Sequence, residues 1–293
     1  MKQSRDLLLS LYSLAMVVEA RDAYTGGHLW RVSRFSHLLA KTAGLSDKES
    51  ALIALGGFLH DLGKVGVPDA ILNKRDKLTD EEYAVIKNHP QIGADLLTNH
   101  PLANLAMDAV FMHHETPDGK GYPQGLSKEA IPTVAKIVGI TDAFDAMTSS
   151  RPYRQGMPIT RAMQIIGENL GTQFDADLGR VFIQLAETDA LTHIVGHSEP
   201  GIPLQSCNMC GPIIPVRRRS KQGDAVYCPS CTSEYSVNRT GSELSLTPTG
   251  KQVRAAALKH EVDIDLIGEL LSEVSPYVFI EQRTGNWLSR MFS

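Results

Sequence analysis

Apolar residues recur at helical spacing through the first two thirds of the chain. In the first segment they stand three or four positions apart, as at Leu7, Leu11, Leu14 and Val18, and longer apolar runs follow. Six segments of this kind are predicted as helices: 4–22, 28–43, 51–62, 102–111, 131–147 and 160–187. With 42% apolar residues in a chain of 293, the pattern predicts a mainly α domain with a sizeable core.

Two helix starts have sequence signatures of their own. Ser46 is followed three residues later by Glu49, and Thr79 by Glu82, so each pair can form a capping box. The helix that starts at Thr79 should be interrupted at Pro90, because proline cannot continue a helix without losing a hydrogen bond.

A histidine and an aspartate end the apolar run 51–62. A buried charge is costly unless it is paired or bound to a metal, so Asp61 needs a partner, and His60 is a ready ligand. A metal-free His–Asp hydrogen bond is the alternative. Since a carboxylate has two oxygens, Asp61 can bind two cations, and the pair suits a two-metal site. Lys64 follows one turn later and can face an anionic substrate.

Other candidate ligands stand at helix ends or inside apolar helices: His28, His89, His113, His114 and Asp142. For His28 the alternative is a helix-start histidine bonded to the backbone. Nitrogen and oxygen donors in this mixture suit Fe, Mn, Ni or Zn better than Mg or Ca. Arg151 and Arg154 add positive charge suited to phosphate, and Tyr122 lies in an exposed Gly- and Pro-rich loop.

Taken together, these motifs resemble the HD superfamily of metal-dependent phosphohydrolases, in particular its HD-GYP branch. The similarity covers about residues 5–187. It is carried by His60-Asp61-Leu62-Gly63-Lys64, Asn88-His89-Pro90, His113-His114-Glu115, the loop 118–123, the segment 141–146 and the segment 150–154. The resemblance implies an HD-type helical bundle and a bacterial phosphodiesterase that hydrolyses cyclic di-GMP to pGpG, or onward to GMP.

The resemblance also implies a role for each residue. One metal would be held by His28, His60, Asp61 and Asp142, and the other by Asp61, His89, His113 and His114. A hydroxide bridging the two metals would attack phosphorus, with Lys64 contacting the phosphate or the bridging water. Tyr122 would shape the pocket, or serve only as part of a structural turn, and Arg151 and Arg154 would hold the second phosphate. Fe or Mn is the expected metal, with Ni or Zn as alternatives.

One position departs from the family pattern. Some HD-GYP members have a glutamate four residues before the first histidine, where it helps to bind a third metal, and this chain has Tyr24 there. A phenol is a poor metal ligand at neutral pH. The sequence therefore predicts two metals, and this puts the onward step to GMP in doubt.

The C-terminal third contains all four cysteines, as two C-x-x-C pairs: Cys207, Cys210, Cys228 and Cys231. This spacing predicts a zinc ribbon with one structural Zn, with strands near 224–227 and 234–238; two disulfides are the alternative. The basic run 217–221 is interpreted as a solvated hairpin tip, or else as a contact for nucleic acid or an acidic partner. Residues 242–250 are predicted as a linker, and the tail as helical, packing on the catalytic domain or forming a dimer contact.

The predicted organisation is a catalytic domain (1–195), a zinc-ribbon-like β module (203–240) and a helical tail (251–293). A net charge of −4 argues against a general nucleic-acid binder. We expect no membrane span, and the helical spacing in 7–18 argues against a signal peptide, so a cytoplasmic protein is predicted. Alternatives to the leading function are an HD phosphohydrolase for pGpG or another nucleotide, and a non-catalytic cyclic di-GMP binding or scaffold protein. A homodimer and a protein partner for the ribbon are further expectations.

Overall fold

The computed structural model describes residues 2–22, 25–74, 76–150, 155–241, 243–254 and 262–278. Its α-helices are α1 (Lys2–Glu19), α2 (His28–Thr42), α3 (Asp47–Leu59), α4 (Asp69–Leu72), α5 (Asp80–Ile86), α6 (His89–Leu97), α7 (Met107–Met112), α8 (Thr133–Thr148), α9 (Ile159–Glu168), α10 (Ala176–Leu185) and α11 (Ile264–Val274). Short 3₁₀ helices cover Leu62–Gly66, Ala103–Leu105, Lys128–Ala130, Asp189–Leu191 and Ser275–Tyr277. The strands are β1 (His197–Glu199), β2 (Ile202–Pro203), β3 (Ala225–Tyr227), β4 (Ser233–Thr240) and β5 (Glu243–Gln252). The mainly α prediction is thus confirmed.

The predicted helix starts are confirmed in detail. Both capping boxes form, with Ser46 and Glu49 at the start of α3 and with Thr79 and Glu82 at the start of α5. The interruption near Pro90 is also present, because α5 ends at Ile86 and α6 begins two residues after Lys87 with the proline in its first turn. The single helix predicted for 102–111 is wrong, since this segment is a 3₁₀ turn followed by α7.

The core lies between α1, α2, α3, α8 and α10 and is built around aromatic contacts. Tyr12 meets Phe58 edge-on at 5.0 Å between ring centroids, and Phe144 contacts Phe35 and Phe182 at 5.0 and 5.1 Å in the same manner. Edge-to-face pairs of this kind add to the free energy gained by burying the rings. They join α1 to α3, and they join both α2 and α10 to α8. Residues of the candidate site lie on α2 and α8 and directly after α3.

The C-terminal region contains more sheet than the sequence indicates. β3, β4 and β5 form an antiparallel sheet in that order, and the predicted strands near 224–227 and 234–238 are confirmed as β3 and β4. The linker predicted for 242–250 is wrong, because Glu243–Gln252 is β5 and pairs along β4, with Val237 opposite Leu246. Burial of Leu244 at 7% exposure explains the strand: its apolar side chain is covered although its neighbours are turn-forming residues.

The helical tail is confirmed in its central part. α11 buries Leu266, Ile267, Leu270 and Leu271 in the same core cluster as Leu8 and Leu11 of α1. The tail therefore packs back on the helical domain, whereas Lys251 and Gln252 belong to β5. Residues 255–261 and 279–293 lie outside the described residues. The domain boundaries, the homodimer and a partner for the ribbon stay predictions.

The basic run 217–221 is tied to acidic side chains. Arg217 lies 3.1 Å from the carboxylate of Asp263, and Arg218 lies 2.8 Å from Glu199 and 2.5 Å from Glu269. Its interpretation as a solvated hairpin tip is therefore wrong for Arg217 and Arg218, which join the ribbon region to β1 and to α11. Within the described residues, no helix combines the length and apolarity needed to span a bilayer.

Candidate metal centre

The seven predicted metal ligands come together where several helices end. His28 is the first residue of α2 and His89 the first of α6. His60 and Asp61 directly follow α3, the His113-His114 pair follows α7, and Asp142 lies within α8. All but His114 and Asp142 are less than 7% exposed. Backbone that leaves a helix end can place several polar side chains at one point without breaking the helices that carry them.

These side chains form two adjacent groups of donor atoms. The His28 half-site consists of His28, His60 and Asp142, and the His89 half-site consists of His89, His113 and His114; in each, the donor atoms lie within 4.8 Å of one another. In the first, the Nε2 atoms of His28 and His60 are 3.3 Å apart, and Asp142 Oδ1 lies 3.5 and 3.7 Å from them. In the second, the Nε2 atoms of His89 and His113 are 3.2 Å apart.

Asp61 lies between the two half-sites and faces each with a different oxygen. Its Oδ2 is 3.4 Å from the Nε2 atoms of His28 and His60. Its Oδ1 is 3.4 Å from Nε2 of His89. A carboxylate in this position can bind one cation through each oxygen. The sequence-based prediction that Asp61 bridges two metals therefore has a direct geometric basis.

The histidine rings are oriented by their second nitrogens. Nδ1 of His60 donates to Gly57 O at 2.7 Å, Nδ1 of His89 to Ile86 O at 2.8 Å, and Nδ1 of His113 to Ala109 O at 2.8 Å. A carbonyl only accepts hydrogen bonds, so each of these rings carries a proton on Nδ1 and turns Nε2 toward the centre, where Nε2 offers a lone pair whenever the ring is neutral. Lone pairs that face one another at about 3.2 Å repel unless a cation lies between them. The donor set thus fits divalent metals of the kind that imidazole binds.

Charge in the centre also favours cations. Burial would raise the pKa of Asp61, but Lys64 and His60 hold it well below the ordinary value for an aspartate, so the carboxylate is ionised. Burial alone would lower the pKa of His60, whereas Asp61 and Asp142 raise it to about 10. Asp61 and Asp142 stabilise the positive charge of a proton on the His60 ring. They would stabilise a divalent cation bound to that ring for the same reason, because metal and proton compete for the same nitrogen.

The other half-site consists of neutral imidazoles. Burial lowers the pKa of His113 well below its ordinary value, and burial together with His89 lowers that of His114 to about 3. A neutral ring needs no deprotonation before it binds a metal, so the His89 half-site is ready for a cation at physiological pH.

Asp145 and Arg31 support the His28 ring, a role that the sequence does not indicate for either residue. Asp145 Oδ2 lies 2.8 Å from Nδ1 of His28, and Arg31 Nε lies 2.5 Å from Asp145 Oδ1. Burial would raise the pKa of Asp145, but Arg31 and His28 hold it below the ordinary value. Asp145 thus orients the His28 ring as the carbonyls orient the other three. The spacing of three residues from Asp142 on one helix is the signal that could have found it.

The residues predicted to meet the substrate are only partly described. Lys64 lies 2.6 Å from Asp61 Oδ2. Burial lowers the pKa of Lys64 and the Asp61 carboxylate raises it, and the net result is a pKa above the ordinary value for a lysine. Tyr122 stacks on His114 with 4.6 Å between ring centroids and 27° between planes, so the loop that carries it touches the centre directly. Lys87 Nζ lies 5.9 Å from the Tyr122 ring. Arg151, Arg154 and Tyr24 lie outside the described residues.

Glu115 holds the Tyr122 loop to the centre. Its two carboxylate oxygens accept hydrogen bonds from Gln124 N at 2.6 Å and from Leu126 N at 2.7 Å, and the residue is 6% exposed. The sequence places Glu115 in a family motif but does not indicate this role, because its partners are nine and eleven residues further along the chain.

We expect Glu115→Ala to loosen this loop. Two backbone N–H groups would lose their acceptor; because Gln124 is exposed and Leu126 half-buried, each lost hydrogen bond should cost about 0.5–1.5 kcal/mol. Limited proteolysis should then cut the loop 116–127 about tenfold faster than in wild type, while the affinity of the centre for Mn(II) stays the same. Exposed Glu129→Ala is the matched control and should behave as wild type. A Glu115→Ala protein that is cut at the wild-type rate would show that the loop holds its place without the carboxylate.

The cysteines form a second, separate cluster. The Sγ atoms are 3.6 Å apart for Cys207–Cys231, 3.5 Å for Cys210–Cys228 and 3.7 Å for Cys207–Cys210. These cysteines are not disulfide-bonded, so the disulfide alternative is not the arrangement observed. Tetrahedral Zn with Zn–S bonds of about 2.3 Å needs sulfurs about 3.8 Å apart. The four thiols therefore fit one zinc ion.

Comparison with known proteins gives the class of this chain. The family model described as an HD domain matches residues 12–178, more than half of the chain, and the chain belongs to this family. The HD-GYP resemblance predicted from the motifs is confirmed.

Three relatives are similar over the helical domain. The chain is 40% identical over 168 residues to the cyclic di-GMP phosphodiesterase response regulator RpfG of Xanthomonas campestris, covering 57% of this chain and 44% of that protein. It is 38% identical to a cyclic di-GMP phosphodiesterase of Thermotoga maritima, covering 59% and 47%. It is also 38% identical to the 3'3'-cGAMP-specific phosphodiesterase 3 of Vibrio cholerae, covering 55% and 35%. The chain thus spans less than half the length of each of these relatives.

Proposed function

We propose that this chain is a metal-dependent phosphodiesterase that hydrolyses cyclic di-GMP to pGpG. The observation that carries the proposal is the placement of Asp61, whose two oxygens face two different groups of imidazole nitrogens. Two relatives with 38–40% identity are named cyclic di-GMP phosphodiesterases, which supports the choice of substrate.

The two half-sites would hold Fe or Mn, with Ni or Zn as alternatives, and Asp61 would bind both ions. Bound divalent cations supply water of lowered pKa and neutralise charge on phosphoryl oxygens. The protein's own part is to fix the donors: helix ends place them, and Nδ1 hydrogen bonds orient the rings. No reorganisation of these groups is then needed when the substrate arrives.

Lys64 and Tyr122 are proposed to meet the substrate. The Lys64 ammonium lies beside Asp61 and would place a positive charge next to the reacting phosphate. The Tyr122 ring stacks on the face of the His114 ring, so it would help to set the position of the nucleotide relative to the metals. Arg151 and Arg154 are proposed to hold the second phosphate, as their residue type and place in the motif indicate.

The cysteine cluster is proposed to hold one structural Zn. The distances between sulfurs and the sequence spacing of the two pairs support this role. A closed site of four thiolates leaves no open position for substrate, so this ion would stabilise the small C-terminal sheet rather than take part in hydrolysis.

Product analysis tests the proposed function. Purified protein is loaded anaerobically with Fe(II) or Mn(II), incubated with cyclic di-GMP, and the nucleotides are separated by chromatography; chelator-treated protein is the control. Accumulation of pGpG is expected, and only in the loaded sample. Rapid conversion to GMP would keep the phosphodiesterase and contradict the prediction drawn from Tyr24. Intact cyclic di-GMP with both metals present would overturn the proposal; parallel incubations with pGpG and 3'3'-cGAMP would then test other substrates.

A further inference from the structure

The turn that precedes His28 is in direct contact with the C-terminal module, defined here as residues 197–252, from β1 to β5. Gly27 has φ of +75° and precedes α2, and a Cβ built there would lie 2.3 Å from Ser198 Cα in β1. A Cβ on Gly26 would lie 2.8 Å from Ile213 Cγ2. Because both glycines are covered at van der Waals contact, the Gly26-Gly27 turn cannot move toward β1 or the cysteine region without displacing Ser198 or Ile213.

Ile213 belongs to the hairpin that carries two of the cysteines. In this cysteine hairpin (205–214), Cys207 N donates to Pro212 O at 2.8 Å, and Ile214 N donates to Gln205 O at 2.7 Å. Gly211 N also donates to Cys207 O at 2.8 Å. The Ile213 side chain that covers Gly26 is therefore held by the same few residues that form half of the cysteine cluster.

A polar connection runs parallel to this apolar one. Arg31 Nη1 donates to His197 O at 2.8 Å and to Gly26 O at 3.0 Å. The rest of the same guanidinium pairs with Asp145, which holds Nδ1 of His28. Arg31 is 2% exposed, so these contacts are shielded from water and hold one fixed geometry. The side chains of Arg31 and Asp145 thus connect the backbone of β1 to the His28 ring.

We propose that the C-terminal module is a positioning element of the His28 half-site. Zinc held by the four cysteines fixes the cysteine hairpin, and Ile213 and β1 fix the Gly26-Gly27 turn and Arg31. The state of the zinc site therefore sets the affinity of the His28 half-site for its metal. The His89 half-site is carried by α6 and the end of α7, which this chain of contacts does not include, and it is unaffected. The inference rests on the proposed metal centre but not on its substrate.

Manganese binding to the full-length protein tests the inference. Mn(II) titration followed by electron paramagnetic resonance separates a coupled pair of ions from a single ion by the shape of the spectrum. Ile213→Ala and Cys210→Ser are each expected to weaken Mn(II) binding at the His28 half-site about tenfold. This is the lower end of the range of affinity losses seen when a metal ligand loses a supporting contact. At limiting Mn(II) the spectrum should become that of a single ion. Met209→Ala is the control, because Met209 is on the same hairpin but 71% exposed.

A double-mutant cycle identifies the contact itself. Gly26→Ala should weaken the same site, because the new methyl meets Ile213 Cγ2 at 2.8 Å. In the Ile213→Ala background the nearest remaining atom is Cβ at 3.2 Å, so adding Gly26→Ala should cost less than it does in wild type. A coupling of this sign marks the packing of these two residues, and general loosening of the module would not produce it.

Three results would overturn the inference: unchanged Mn(II) affinity in Ile213→Ala, equal weakening of both sites, or strictly additive effects in the cycle. Failure of the proposed function is distinguishable from these. A wild-type protein that binds two Mn(II) ions but hydrolyses no cyclic di-GMP would refute the substrate, while selective weakening by Ile213→Ala would still support the positioning role.

Discussion

Asp61→Asn is expected to abolish hydrolysis of cyclic di-GMP and to remove metal from both half-sites. Asparagine has one acceptor oxygen and no charge, so it cannot face His28 and His89 with a carboxylate oxygen each, as Asp61 does at 3.4 Å. Loss of a shared ligand affects two ions together, and two-metal stabilisation is worth several kcal/mol of the barrier. We expect kcat/KM to fall about 10⁴-fold, measured by chromatography of pGpG with metal content determined on the same sample.

The control for Asp61→Asn is the same substitution at an exposed aspartate. Asp95 lies on α6, the helix that begins with His89, and its side chain contacts Gln91 rather than the centre. Asp95→Asn should keep two metals and wild-type turnover. If Asp61→Asn also keeps two metals and more than a tenth of the turnover, the bridging role is wrong, and each half-site must bind its ion independently.

Much of the site could be predicted because its residues contradict their local surroundings. His60 and Asp61 end a strongly apolar helix, and Asp142 lies inside another. Each of these buried polar side chains needs a counter-charge, a hydrogen-bond partner or a metal, and the apolar residues next to it in sequence provide none. The family motifs then connected these separate positions. Capping boxes could be predicted for a different reason: the groups that bond to one another are three residues apart.

The supporting contacts could not be predicted in the same way. Asp145 meets Arg31 and His28 across more than a hundred residues, and nothing near Asp145 in the sequence distinguishes it from a second ligand. β5 is not predicted by its sequence, because its serine, threonines, proline and glycine are typical of a linker. Its strand is stabilised by pairing with β4 and by the burial of Leu244, which are tertiary effects.

Gly63 is required for a packing reason that its sequence neighbours do not indicate. It does not end a helix, because α3 ends at Leu59 and Gly63 lies within the 3₁₀ helix Leu62–Gly66. Its φ is not in the left-handed region, so the backbone conformation does not require glycine. The requirement is space: a Cβ at Gly63 would lie 1.8 Å from His89 O and 2.5 Å from Gly93 N. The 3₁₀ helix and α6 are packed backbone against backbone.

Gly63→Ala is therefore expected to be among the most damaging single substitutions in the chain. The atoms in the way are backbone atoms of α6, which cannot rotate aside as a side chain can, so one of the two elements must shift. We expect the free energy of unfolding to fall by about 4 kcal/mol or more, measured by urea denaturation of metal-free protein. Gly268→Ala is the control: this α11 glycine has no neighbouring atom within 4 Å of an added Cβ, and alanine there should stabilise by about 1 kcal/mol.

The same substitution separates packing from metal binding. A shift of α6 moves His89 away from Asp61 Oδ1, so Gly63→Ala should also lose the Mn(II) ion of the His89 half-site. The His28 half-site should retain its ion when α6 is the element that shifts, because none of its ligands lies on α6. If Gly63→Ala unfolds at the wild-type urea concentration and still binds two Mn(II) ions, then the close approach of the 3₁₀ helix to α6 is not what joins His89 to Asp61. A loss of stability with both ions retained would instead mean that the metals themselves hold α6 in place.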